Sequence, residues 1–225
     1  ALKSDDSSFS IIQKVFSYYE KSDLLDSIEW INGDILDIPS LEEAMVGCNY
    51  IYHAAALISF LPKDVEKMFR INVQGTANIV DVALRKGVEK IGYVSSVASL
   101  SRYHSNDLVT EEDYWKDSPY NSNYSMSKYL AEQEVWRGIQ EGLPAVIINP
   151  SVILGPGDWN KGSSQMFQKV FQGLRFYTNG GTGYVDVVDV AKSIIELVNS
   201  NKVNERYIIN SENLGYRKVF DWIAE

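Results

Sequence analysis

Short apolar runs alternate with longer amphipathic runs along the first 150 residues. The short runs end in glycine or other small residues, which is typical of strands; they are Ile28–Gly33, Asn49–Ala56, Glu89–Ser99 and Pro144–Pro150. Apolar positions three or four apart predict helices at Ser40–Gly47, Pro62–Gly87 and Asn121–Gly142. Pro144–Pro150 is almost wholly apolar, as strands covered on both faces of a parallel sheet are. Strands and helices alternating at this spacing predict βαβ units and an α/β fold with a doubly wound parallel sheet.

The long helix predicted at Pro62–Gly87 supplies seven candidate core residues: Phe69, Ile71, Val73, Ile79, Val80, Val82 and Leu84. After Pro150 the pattern loosens into a glycine-rich loop at Leu154–Ser164. The elements predicted beyond it are a helix at Gln165–Gly173, an irregular strand at Leu174–Gly180, a helix at Asp189–Asn201, a strand at Tyr207–Ile209 and a helix at Tyr216–Ala224. We therefore expect a nucleotide-binding domain over residues 1–150 and a smaller substrate-binding lobe over 151–225 that partly packs back on the sheet.

Composition excludes several classes of function. The 225 residues are 45% hydrophobic and carry a net charge of -9, and no basic stripe of the kind that binds nucleic acid is present. No apolar run reaches the roughly 20 residues that a membrane helix needs. One cysteine, Cys48, favours a reducing compartment, and with His53 and His104 it cannot form an ordinary zinc site. We expect a cytoplasmic protein with no metal site and with neither nucleic acid nor membrane as a partner.

A tyrosine and a lysine lie four residues apart at Tyr124 and Lys128, on one face of the helix predicted at Asn121–Gly142. With this number of tyrosines and lysines, about one such pair is expected by chance, so the spacing alone means little. Its value depends on the strand ends nearby, because ligands of parallel α/β sheets bind beyond the carboxyl ends of the strands. Those ends supply Asp34-Ile35, His53–Ala56, Ser95-Ser96 and Asn149–Ser151.

This set of residues fits carbonyl reduction or its reverse. Hydride must come from a nicotinamide cofactor, since no side chain supplies one. Tyr124 is a candidate to give or take the proton, and Ser96 to hold the substrate oxygen. The ammonium of Lys128 is expected to lower the pKa of Tyr124 and to bond a ribose hydroxyl of the cofactor.

Seven motifs in order resemble the extended short-chain dehydrogenase/reductases, most closely the bacterial branch similar to dihydroflavonol reductases and NAD-dependent epimerase/dehydratases. They are GDILD (Gly33–Asp37), YHAAA (Tyr52–Ala56), NVQGTANIV (Asn72–Val80), YVSSVASL (Tyr93–Leu100), YSMSK (Tyr124–Lys128), NPSVILGPG (Asn149–Gly157) and YVDVVDVA (Tyr184–Ala191). The resemblance implies a Rossmann-type fold, NADP or NAD as cofactor with NADP slightly favoured, and a homodimer through the helices of Asn72 and Tyr124. It implies catalytic roles for Ser96, Tyr124 and Lys128. It also implies cofactor contacts by Lys3, Asp34, Ile35, Ala54, Ala55, Ala56, Tyr124, Lys128, Pro150, Ile153 and Ser163.

The sequence departs from this family at its start. The family opens with a strand and a glycine-rich turn that holds the cofactor pyrophosphate, and no such turn occurs here. Relatives also continue beyond the last helix, so we expect an internal piece of a longer protein. Ser4 stands where NADP-preferring relatives often carry arginine; Lys3 is a candidate substitute as a point charge.

Three functions remain open from the sequence. The first is an NAD(P)-dependent oxidoreductase that reduces a small-molecule ketone or aldehyde. The second is a nucleotide-sugar epimerase or dehydratase with tightly held NAD. The third is a non-catalytic dinucleotide-sensing or scaffold module. Aromatic residues of the loops and lobe indicate either an apolar or aromatic substrate or the core of a small lobe; they are Tyr103, Tyr114, Trp115, Tyr120, Trp159, Phe167, Phe171, Phe176 and Tyr177.

Overall fold

The protein is described by a computed structural model that covers residues 1–3, 9–100, 108–159 and 162–225. The strands are β1 (Leu2–Lys3), β2 (Ile31–Asn32), β3 (Tyr50–His53), β4 (Lys90–Val94), β5 (Ala145–Pro150), β6 (Val152–Leu154), β7 (Gly181–Asp186), β8 (Glu205–Ile209) and β9 (Glu212–Gly215). The α-helices are α1 (Phe9–Tyr18), α2 (Ile38–Ala44), α3 (Val65–Phe69), α4 (Gly75–Lys86), α5 (Asn123–Gln140), α6 (Gln165–Phe171), α7 (Val187–Asn199) and α8 (Tyr216–Ala224).

The main sheet is four-stranded and parallel, with the order β3-β4-β5-β8. All six residues of β5 are buried. Ala145 and Ile147 pack against α4 and α5 on one face, while Val146 and Ile148 pack against α7 on the other. The apolar run is therefore explained by helices on both faces, and the predicted α/β fold with a parallel sheet is confirmed.

The centre of β4 needs a glycine because α7 lies against it. A Cβ atom on Gly92 would lie 2.6 Å from Val198 Cγ2 and 2.9 Å from Ile194 Cγ1. These distances are shorter than atoms tolerate without movement of the helix. The absence of a side chain at this position thus sets how closely α7 packs on the sheet.

The helix predicted at Pro62–Gly87 is interrupted by one wide turn. A 3₁₀ turn (Pro62–Asp64) and α3 lead into a π-helical turn at Arg70–Gln74, and α4 then ends at Gly87 in the left-handed conformation. The wide turn shifts the buried face, so Met68 and Asn72 are buried. Phe69, Ile71 and Val73 are only partly buried, which corrects three of the predicted core positions. Ile79, Val80 and Val82 are confirmed, and Leu84 is partly buried but packs against the same core cluster.

The C-terminal third returns to the main sheet. β8 pairs with β5, and α7 packs on β4 and β5. The helix α7 begins where the Asp186 carboxylate accepts a hydrogen bond from the Val188 amide at 2.7 Å.

The described residues also form two small sheets. β1 pairs with β2, and β6, β7 and β9 form a three-stranded sheet. The strand predicted at Leu174–Gly180 was wrong, since that segment is irregular and β7 begins at Gly181. Among the helices of the described residues, none combines the length and the apolar character needed to cross a membrane.

Candidate active site

The carboxyl ends of β3, β4 and β5 meet at one edge of the main sheet, because the three strands are parallel and in register. The helix α5 begins beside this edge, where the Ser122 hydroxyl accepts a hydrogen bond from the Ser125 amide at 3.0 Å. Tyr124 lies in the first turn of α5 and is partly buried, and Lys128 lies one turn later and is 2% exposed. The sheet edge, its loops and α5 together form the candidate site.

The side chain of Ser96 lies close enough to the Tyr124 hydroxyl to influence its ionisation. Burial raises the pKa of Tyr124 above its ordinary value, and the interaction with Ser96 acts in the opposite direction. Ser96 precedes a 3₁₀ turn (Val97–Ser99) and its hydroxyl oxygen accepts from the Ala98 amide at 3.1 Å. The two hydroxyl groups predicted to handle the substrate oxygen are thus neighbours.

Lys128 points to the end of β4. Its ammonium donates to the Tyr93 hydroxyl at 2.9 Å and to the Val94 carbonyl at 2.9 Å, and it lies 4.7 Å from the centre of the Tyr93 ring. Burial lowers the pKa of Lys128 to about 8, and the charge of Glu132 acts against this fall. In this structure burial and Ser96 govern the pKa of Tyr124, and the lowering expected from Lys128 stays a prediction.

His53, at the end of β3, packs against the Tyr93 ring and is neutral. Its Nε2 is 2.9 Å from the Thr76 hydroxyl, which donates its own proton to the Asn72 carbonyl at 2.6 Å. The hydroxyl must therefore accept from Nε2, so the proton of the ring lies on Nε2. Burial, reinforced by the charge of Lys128, lowers the pKa of His53 to about 3.

The residues predicted to lie along the cofactor are open at this edge. Ala54, Ala55 and Ala56 follow β3 and are all exposed. Asp34 follows β2 and is exposed, with one carboxylate oxygen bonded to the Leu36 amide at 2.9 Å. Ile35 is partly buried and is held by Asn78, whose side-chain amide donates to its carbonyl at 3.0 Å.

The other predicted cofactor contacts lie at the end of β5 and beyond it. Pro150 is buried in β5, Ile153 lies on β6, and the Ser163 hydroxyl donates to the Ile153 carbonyl, so the structure brings the last two together. The loop that follows β6 borders a cavity of about 910 Å³, which Trp159 and residues of α1 also line. Of Lys3 only the backbone, on β1, is described, and Ser4, Tyr103, His104 and Lys161 lie outside the described residues.

Asn72, on the π-helical turn, ties the loop after β3 to α5. Its side chain accepts from the Leu57 amide at 2.7 Å and donates to the Leu57 carbonyl at 3.0 Å. It also donates to the Ser127 hydroxyl at 2.9 Å, and Ser127 donates to the Tyr124 carbonyl at 2.8 Å. The exposed alanines and Tyr124 are therefore held by one buried amide.

Two residues near this site carried no prediction, Glu132 and Arg206. Glu132 is 1% exposed and its carboxylate binds Ser95, Ser99 and Asn149. The available signal was the spacing, because Glu132 follows Lys128 by the same four residues that separate Lys128 from Tyr124. Arg206, on β8, contacts Glu132 at 3.4 Å. The two residues are so far apart in the sequence that no local pattern could have predicted this contact.

Comparisons with known proteins agree with this architecture. The chain is 33% identical over 200 residues to a putative dihydroflavonol 4-reductase of Synechocystis, and the match covers 85% of this chain and 57% of that protein. It is 27% identical over 202 residues to cinnamoyl-CoA reductase 2 of Medicago truncatula, and this match covers 85% of this chain and 59% of that protein. The chain therefore spans somewhat more than half the length of these relatives.

Solved structures share the fold. The crystal structure of gox2253 superposes with a TM-score of 0.83 at 33% identity over 99% of this chain and 65% of that one. The UDP-glucose 4-epimerase of Thermus thermophilus, solved with NAD, superposes with a TM-score of 0.74 at 24% identity over 88% of this chain and 68% of that one. The sequence pattern of the NAD dependent epimerase/dehydratase family matches residues 5–210. The parallel sheet, the open carboxyl edge and this match together make the chain a member of the NAD dependent epimerase/dehydratase family.

Proposed function

We propose that the protein to which this chain belongs is an NAD(P)-dependent oxidoreductase that reduces a ketone or an aldehyde. The observation that carries the proposal is that the Ser96 side chain neighbours Tyr124 at the sheet edge, with the buried Lys128 one turn further along the same helix. Carbonyl reduction needs a hydrogen-bond donor and a proton donor at the substrate oxygen, and these two hydroxyl groups supply both.

The residues at this edge suit a nicotinamide cofactor. Three exposed alanines let a flat ligand lie close to the backbone after β3, and Asp34 has a carboxylate oxygen available for the adenosine end. Lys128 has one ammonium hydrogen with no acceptor among the described residues, which suits a ribose hydroxyl. When bound, such a cofactor supplies or accepts the hydride. NADP is proposed ahead of NAD, as the sequence favours it slightly.

In the proposed reduction, Tyr124 donates its proton to the carbonyl oxygen while Ser96 keeps that oxygen in place by a hydrogen bond. Lys128 stabilises the phenolate that remains, because a positive charge nearby favours the ionised form. His53 cannot compete as an acid, since its pKa of about 3 leaves it neutral. Tyr124 therefore acts as the acid in reduction and as the base in the reverse reaction.

An aromatic substrate is supported by the side chain beside Tyr124. The ring of Phe60 lies 5.9 Å from that of Tyr124 in an edge-to-face arrangement, yet Phe60 is 75% exposed. Its segment is held by Asn72 at Leu57 and by the 2.6 Å hydrogen bond from Ser59 to Asp64. A fixed, exposed aromatic ring next to the acid suits a substrate with a planar apolar group.

The test uses the full-length natural protein. Aromatic ketones, aldehydes and acyl thioesters are offered with NADPH and then with NADH, and cofactor oxidation is followed by absorbance. Tyr124→Phe is expected to abolish turnover and to retain cofactor binding. Tyr129→Phe is the matched control on the same helix, because it keeps the ring that stacks on Trp115 and loses only a hydroxyl group; it should retain activity.

Two other outcomes would replace the proposal. Turnover of UDP- or dTDP-sugars without net consumption of cofactor would indicate an epimerase or a dehydratase. Binding of the cofactor without turnover of any substrate would indicate a dinucleotide sensor, and full activity of Tyr124→Phe would remove Tyr124 from the mechanism.

A further inference from the structure

Glu132 is the centre of a buried hydrogen-bond cluster at the ends of β4 and β5. Its Oε2 accepts from the Ser95 hydroxyl at 2.6 Å, the Ser99 hydroxyl at 2.7 Å and the Asn149 amide at 2.8 Å. Its Oε1 accepts from Trp136 at 3.2 Å and from Arg206 at 3.4 Å. Five donors converge on one carboxyl group, and an ionised carboxylate, which only accepts, satisfies this arrangement.

The cluster reaches Ser96 by two routes. The Asn149 side-chain amide has two hydrogens and also lies 3.1 Å from the Ser96 carbonyl, and the Ser99 hydroxyl lies 2.8 Å from that carbonyl and shares its single proton between the carbonyl and Glu132. Asn149 must turn its nitrogen toward Glu132, and its oxygen is then buried with no partner among the described residues. An unpaired buried acceptor is unfavourable, so the contacts of the nitrogen fix the orientation of this side chain.

The same carboxylate is the nearest negative charge to Lys128 on α5. Lys128 and Glu132 are one turn apart, so their side chains lie on the same face of the helix. Among the described residues, the other titratable or charged groups around Lys128 are His53 on β3, Tyr93 on β4, Tyr124 on α5 and Arg206 on β8. His53 is neutral and Arg206 contacts Glu132 at 3.4 Å, so within this set Glu132 is the charge that opposes the burial of the ammonium.

We propose that Glu132 is a positioning residue of the site: its buried carboxylate holds the turn that carries Ser96 against the end of β5 and balances the buried ammonium of Lys128. The role rests on the proposed function. Glu132 touches neither substrate nor cofactor in this arrangement. It acts through Ser99 and Asn149 on Ser96, and through charge on Lys128.

The charge effect is tested by a measurement that needs no turnover. Full-length protein labelled with ¹⁵N-lysine is titrated by NMR, with Lys128→Arg used to assign the Lys128 resonance. Glu132→Gln is expected to lower the midpoint of the Lys128 titration curve by about one pH unit, since a neighbouring opposite charge is lost. The alkaline limb of kcat/KM should move by the same amount. Lys90→Met, which removes a buried ammonium at the other end of β4, should leave the midpoint of Lys128 unchanged.

The positioning effect is tested separately by Ser99→Ala, which keeps the charge of Glu132. We expect kcat to fall at least about tenfold through loss of geometry at Ser96, with the KM for cofactor and the midpoint of Lys128 unchanged. If Glu132→Gln does not fold, this variant still decides the positioning role, and Glu132→Asp, which shortens the side chain and withdraws the carboxylate, replaces Glu132→Gln in the titration of Lys128. An unchanged kcat in Ser99→Ala would overturn the positioning role, and an unchanged midpoint in folded Glu132→Gln would overturn the charge role. If no carbonyl substrate is found, the proposed function fails while the NMR titration still judges Glu132.

Discussion

Two buried lysines lie at opposite ends of β4 and have different surroundings. Lys90, at the first residue of the strand, donates to the carbonyls of Leu197, Val198 and Ser200 at 2.9, 3.0 and 2.9 Å. Its three ammonium hydrogens therefore all have acceptors at the end of α7. Lys128 faces the last residues of the strand from α5 and has two acceptors among the described residues, at 2.9 Å each.

The difference shows that burial of a charge does not by itself identify a reactive site. Lys90 neutralises the partial negative charge at the carboxyl end of a helix, so its charge serves to stabilise the fold. Lys128 has one donor without an acceptor in the part of the chain that the structure describes, and its neighbours are a tyrosine, a histidine and a glutamate at the carboxyl edge where ligands of such sheets bind. The number of unused donors and their position in the sheet separate the two roles.

The largest expected effect comes from exchanging the two lysines for methionine and comparing activities. Lys128→Met should lower kcat/KM by about 10³-fold, because the charge that stabilises the Tyr124 phenolate is lost. Lys90→Met should keep kcat/KM within a factor of two or so of the unmodified protein at a temperature where both are folded. Equal losses of activity in the two variants would contradict the division of roles; steady-state kinetics on the full-length protein measures both.

The pH dependence of stability offers a second way to sharpen the comparison. The pKa of Lys128 in the folded protein is about 8, below its ordinary value of 10.5, so the folded state binds fewer protons than the unfolded state between these values. The stabilising contribution of the group therefore rises with pH from about 8 to 10.5, by about 3 kcal/mol in total. Urea unfolding at several pH values should show this rise, and Lys128→Met should lack it.

Over the same pH range, activity should move the other way. Deprotonation of Lys128 removes the buried charge one helical turn from Tyr124, so under the proposed mechanism kcat/KM for reduction should fall as pH rises through about 8. A pH profile that stays flat to pH 10 would show that the ammonium is not needed.

The sequence allowed prediction of the parallel sheet and of the edge at which the candidate residues meet. Both follow from simple rules: β5 is apolar on both faces, and parallel strands end at the same edge. The boundaries of α5 were predicted within two residues, because this helix has a clear start and stop.

The partners of the buried charges could not be predicted. A glutamate or a lysine in a helix or strand is normally exposed, and the burial of Glu132 and Lys90 depends on residues that are 74 and 107 positions away. The π-helical turn at Arg70–Gln74 was also missed, since a uniform helical period cannot reveal one extra residue in a turn. Short strands such as β6 have too few residues to show any period.

Loss of the three hydrogen bonds of Lys90 should destabilise the protein without altering the site. In Lys90→Met the carbonyls at the end of α7 lose their donors, and we expect the free energy of unfolding to fall by about 2 kcal/mol. Lys128→Met removes a desolvated charge and should be no less stable at pH 7 than Lys90→Met. Urea unfolding midpoints, compared at equal slope, test which variant is more stable. If Lys90→Met were the more stable of the two, Lys90 would not be the lysine that stabilises the fold.

The smallest effect concerns Gly92, which lies between the two lysines on β4. Gly92→Ala places a methyl group against Val198 and Ile194, so α7 must move slightly away from the sheet. We expect a loss of about 1–2 kcal/mol from this overpacking, with the contacts of Lys90 at the end of α7 weakened. Because Lys128 lies across the sheet on α5, kcat/KM and the NMR midpoint of Lys128 should stay unchanged. A shift of that midpoint in Gly92→Ala would mean that the two ends of β4 are coupled, and the lysines would then belong to one connected unit instead of two separate ones.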